Sequence, residues 1–178
     1  MISLLLVAFG FLLLVLETAL ATLLPMQGFA PNLMLPIAIY LGVSAESHIV
    51  RGASISFTLG YLLDSFCGSP MGLQTFVLTA SFMVARGTGL RLFPRGPAFQ
   101  ILLTFLMAIG FGVTILSLRA IFEQPSVPGL NESARETLVA LLESAIATAI
   151  ASPLIFAGTR RITSIGALKR EERTVAGR

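Results

Sequence analysis

The sequence predicts an all-α membrane protein, with six transmembrane helices in one bundle. Three observations lead there. The 178 residues are 55% apolar and only 12% charged, with a mean hydropathy of +0.89; an average soluble domain carries roughly 25% charged residues. The chain divides into six apolar stretches set apart by proline, glycine and charge. Its basic residues collect on alternate connections, as membrane topology demands.

A bilayer core of about 30 Å takes roughly 20 apolar residues as a helix. The first stretch, 2–24, is stopped by Pro25. Its Ala19-Leu20-Ala21 fits a signal-peptide cleavage site, but there is no basic n-region and Glu17 precedes it, so it reads as a retained first helix. The second, 32–46, is short and begins after Pro31. The third is 49–66 and the fourth 71–86, and between them "CGSPMG" supplies Gly68, Pro70 and Gly72 for a tight turn. The fifth, 97–122, is started by Pro97. The sixth, 135–158, is opened by "SARE", where Ser133 and Glu136 form a capping box. Residues 1–158 thus form a transmembrane domain and 159–178 a basic tail.

With six spans the two termini share one side. That side carries Arg51, Arg86, Arg91, Arg95, Arg160, Arg161, Lys169, Arg170, Arg173 and Arg178, against only Arg119 and Arg135 on the other. Both termini are therefore expected in the cytoplasm. The net charge of +3 follows from this topology and does not indicate nucleic acid. Arg86, Arg91 and Arg95 share one loop, a basic surface open to anionic lipid or to a cytoplasmic partner.

Polar residues within the spans carry the functional question. Gly52, Ser56, Gly60 and Asp64 are spaced by four and share one helix face, and small residues at that spacing admit a second helix closely. Asp64 is the single aspartate of the chain. Glu17, Asp64, Arg119 and Glu143 all fall toward the outer ends of their spans and suggest one polar cluster or partner-binding site, with Asp64 paired to Arg119. The plainer reading of Asp64 is a cap on the outer turn. Ser144, Thr148 and Ser152 mark a second close-packing face in the sixth span.

Enzyme chemistry finds little to use. One aspartate excludes a dyad of two, and a single histidine, His48, lies on an expected loop with no G-x-S-x-G in the chain. One cysteine, Cys67, and one histidine exclude a zinc site built from several of them. There is no Walker A sequence or dinucleotide fingerprint. No catalytic residue, metal or cofactor is expected.

Residues 31–86 carry a more specific pattern: Pro31 leading a helix that ends near Tyr40, then Arg51-Gly52, then Gly60-x-x-x-Asp64, then Gly68 and Gly72. This resembles the MreD family of bacterial rod shape-determining proteins. The resemblance implies a non-enzymatic scaffold of the inner membrane, bound to MreC and through it to MreB, RodA and the penicillin-binding protein of RodA. It also implies a fold similar to the S components of energy-coupling-factor transporters. The alternative is therefore a vitamin-binding S component; the Ala-x-x-x-Ala pair such components carry on their first helix is absent from 2–24.

Overall fold

The computed structural model describes residues 2–23, 31–44, 48–67, 71–89, 97–122 and 130–175. Among them are six helices and no strand: α1 (Ile2–Leu23), α2 (Met34–Val43), α3 (Ile49–Cys67), α4 (Leu73–Gly89), α5 (Pro97–Phe122) and α6 (Leu130–Val175).

The second helix organises the rest. α2 is apolar on every side, the pattern of a helix buried all round. Leu35, Ile37, Ala38 and Ile39 are fully buried, and α2 touches each of the other five helices. It is shorter than the predicted 32–46. Ten residues at about 1.5 Å each rise roughly 15 Å, half of a bilayer core.

The surrounding helices turn apolar side chains outward. Leu4, Phe76, Ile150 and Leu154 are all well exposed. Among the described residues, two helices hold stretches long and apolar enough to cross a membrane, Ala98–Leu118 in α5 and Thr137–Ser164 in α6. Most of each stretch is left uncovered by the rest of the protein, so neither is packed as the core helix of a soluble domain. An outer surface of Leu, Ile, Val and Phe is what hydrocarbon accepts and water does not.

α6 corrects one predicted boundary. It begins at Leu130, so Ser133 and Glu136 lie within its first two turns rather than at a cap. It also runs without a break past residue 158 into the basic segment. Pro153 sits inside it and cannot donate to the carbonyl of Ala149. The preceding side chain fills the gap, as Ser152 Oγ donates to Ala149 O at 2.7 Å.

Candidate functional site

The small-residue face of α3 lies against α4. A Cβ on Gly60 would stand 2.5 Å from Thr75 Cα, and one on Gly52 would stand 2.5 Å from the Phe82 ring. Ser56, between them, is fully buried. Close approach at Gly60 brings backbone to backbone, and this delivers Asp64, one turn further on, to the start of α4.

A helix begins with N–H groups that have no partner within it. Asp64 meets those of α4. Gln74 N–H donates to Oδ1 at 2.8 Å, and the N–H groups of Gly72 and Thr75 donate to Oδ2 at 3.0 Å each. The Thr75 hydroxyl adds a bond to Oδ2 at 2.6 Å. Gly72 makes the turn possible: its φ of 97° is the one left-handed angle among the described residues, and glycine adopts it without strain. A carboxylate at a helix N-terminus is also favoured by the helix dipole. Asp64 is 3% exposed, so these donors replace water. Of the predicted turn residues, Gly68 and Pro70 lie outside the described residues.

Glu17 does the same for α2. Leu33 N–H donates to Glu17 Oε2 at 3.1 Å. Asn32 Oδ1 accepts the Met34 and Leu35 N–H groups, both at 3.2 Å, and Asn32 N–H donates to Thr148 Oγ1 of α6 at 3.0 Å. The first and second helices thus repeat the arrangement of the third and fourth: a carboxylate late in one helix satisfies the start of the next.

The far end of α2 is held by opposite charge. Arg86 Nη1 of α4 donates to the Ser44 carbonyl at 2.7 Å, where the dipole is negative. Ser44 also caps Tyr40 O through its own hydroxyl at 2.7 Å. Arg86 is therefore half-buried against α2 rather than spread over a loop surface; Arg91 and Arg95 lie outside the described residues. Tyr40 joins α2 to α6, edge-on to Phe156 with centroids 5.5 Å apart and 3.3 Å from the Thr163 hydroxyl.

The four residues expected to cluster thus have different settings. Glu17 and Asp64 serve two different helix starts. Glu143 is exposed on α6. The side chain of Arg119 lies outside the described residues. Sequence reasoning missed Asn32, Thr75, Thr148 and Arg86 as partners. Asn32 gave a usable signal, an amide just ahead of an apolar helix; for Thr148 and Arg86 nothing local to α2 could have served.

No curated protein and no solved structure matches the chain. A family model described as rod shape-determining protein MreD matches residues 1–157, most of the chain and all of the helical arrangement that holds Glu17, Asp64 and Arg86 in place. On that match the chain belongs to the MreD family of rod shape-determining membrane proteins.

Proposed function

We propose that this chain is a non-enzymatic scaffold subunit of the bacterial inner membrane, part of the cell-elongation complex that organises peptidoglycan synthesis. Its direct partner is MreC, and through MreC it reaches MreB, RodA and the penicillin-binding protein of RodA. The family match over 1–157 carries this reading. The chain crosses the membrane six times, with both termini and the Arg86 end in the cytoplasm and the Glu17 and Asp64 caps toward the outer face. α2 is a half-length helix, with its Arg86-capped end toward the cytoplasm. Asp64 paired with Arg119 belongs to the same proposal, and a double-mutant cycle of Asp64→Asn with Arg119→Gln reads it as a loss smaller than the sum of the two single losses.

Among the described residues, nothing specific favours a vitamin-binding subunit. The groove between α5 and α6 is lined by Ala, Ile, Leu and Phe, a surface for apolar side chains. The scaffold reading is tested by affinity purification of the full chain from native membranes. MreC should co-purify, and reporter fusions should place both termini inside and residue 128 outside. Recovery of transporter subunits in place of MreC would overturn it.

A further inference from the structure

Glu143 stands apart from every other described acid in the membrane-spanning helices. It has no hydrogen-bond or ion-pair partner among the described residues, and it lies inside the apolar stretch Thr137–Ser164. Its neighbours on the exposed face are Val139 and Leu142 on one side and Ile146 and Ile150 on the other. Its depth follows from a contact: a Cβ on Gly112 would meet Leu141 at 2.9 Å, so these residues are level. α5 and α6 run antiparallel, which sets Glu143 about level with Gly110, well within Ala98–Leu118. A carboxylate in that position faces hydrocarbon, where ionisable groups are rare and are paired when present.

The same face carries a groove. Ile101, Leu102 and Phe105 of α5 and Ile146, Ala149 and Ile150 of α6 line a cleft of about 400 Å³. Ile146 is one turn from Glu143, so the acid sits at the rim of the cleft. An apolar cleft with an acid at its rim matches one kind of occupant.

We propose that the α5–α6 face receives one membrane-crossing helix of a different protein, with an apolar ridge in the cleft and a cationic side chain embedded in its apolar stretch to meet Glu143. Charge decides between this occupant and a second copy of the chain. Two-fold pairing through this face would set Glu143 toward its own counterpart and still supply no cation, whereas an ionisable group in the bilayer is found paired. The cation supplies what the acid lacks, and the ridge covers Leu102, Ile146 and Ile150.

The proposal deepens the scaffold reading by naming the surface, and its test separates the two. The full chain in lipid vesicles is mixed with a synthetic Leu-Ala membrane helix containing one Lys, or with the same helix carrying Leu there, and association is read by energy transfer. The Lys helix should bind about 3- to 30-fold more tightly, the range set by one interhelical polar contact in a membrane. Glu143→Leu should erase the difference while leaving the abundance of the chain unchanged or raised. A photo-cross-linking residue at Leu102 or Ile146 should capture the Lys helix, and the same residue at Leu4 or Phe76, more exposed still on α1 and α4, should not. Equal binding of the two helices, a Lys preference that survives Glu143→Leu, or adducts between two copies of the chain would each overturn the proposal. A parallel capture with MreC keeps the readings apart. Recovery of MreC with no adduct from the cleft overturns this surface and leaves the scaffold reading intact; failure to recover MreC overturns that reading, while the peptide result decides this one.

Discussion

Thr75 reaches Asp64 twice, donating to the same carboxylate oxygen through its backbone N–H at 3.0 Å and its hydroxyl at 2.6 Å. The two residues lie on different helices, so this pair of hydrogen bonds fixes where α4 starts relative to α3. The donors described at Asp64 are backbone amides and a hydroxyl at the start of α4, which makes the contact a joint between elements.

Asp64→Asn keeps one acceptor oxygen and loses the charge. It should cost about 1–3 kcal/mol, and Asp64→Ala more, because several buried donors are then left without a partner. Thr75→Val should cost less than either, since the backbone bond survives. Thermal midpoints of the detergent-purified chain check the order; a midpoint for Asp64→Ala equal to wild type would refute the joint.

Gly60 and Gly52 should respond differently to the same methyl group. At Gly60 the new Cβ meets Thr75 Cα, a backbone atom that moves only with the whole helix. At Gly52 it meets the Phe82 ring, which can turn. Gly60→Ala should lie at the upper end of the roughly 1–3 kcal/mol expected of overpacking, and Gly52→Ala at the lower end. Steady-state abundance in membranes gives the ranking.

The two ends of α2 can be tested together. Glu17→Leu leaves the Leu33 N–H without its acceptor, and Arg86→Leu strips the Ser44 carbonyl of its cation. Each should cost about 1–3 kcal/mol, whereas Glu17→Gln, which keeps an acceptor, should be close to wild type. Protease sensitivity of the purified chain would report the difference.

Ser152 and Pro153 should be coupled. Ser152→Ala removes the donor to Ala149 O and should destabilise by roughly 1 kcal/mol. In a Pro153→Ala background position 153 supplies its own N–H, so the same change should cost little. A double-mutant cycle in thermal stability checks this, and strict additivity would show that the hydroxyl does not compensate for the proline.

Much of the α3–α4 pair was legible in the sequence because its determinants are local. Spacing by four identifies the face of Gly52, Ser56 and Gly60, and that face does meet α4. The donors that meet Asp64 were not legible. Periodicity puts a carboxylate near the end of a helix, but its choice of donors depends on how the next helix enters. α2 was overestimated for a related reason. Hydropathy counts Asn32 and Leu33 as part of an apolar run, whereas their backbone is spent on capping bonds to Thr148 and Glu17. The exposure of Glu143 was not drawn from the sequence because depth groups Glu143 with Glu17 and Asp64, although buried Thr148 and Ser152 mark the packed side of α6.

The short length of α2 has a consequence for biogenesis. A segment of ten helical residues is a poor candidate for insertion into lipid unaided, and its supports are made long after it. Arg86 lies 42 positions beyond Ser44, and Thr148 lies 116 beyond Asn32. While the chain is still emerging, α2 has neither its far cap nor the α6 hydroxyl beside its start. It settles only once the last helix has been synthesised and has packed against it, so a nascent chain halted before Thr148 carries an unfinished centre and should be handed to proteolysis.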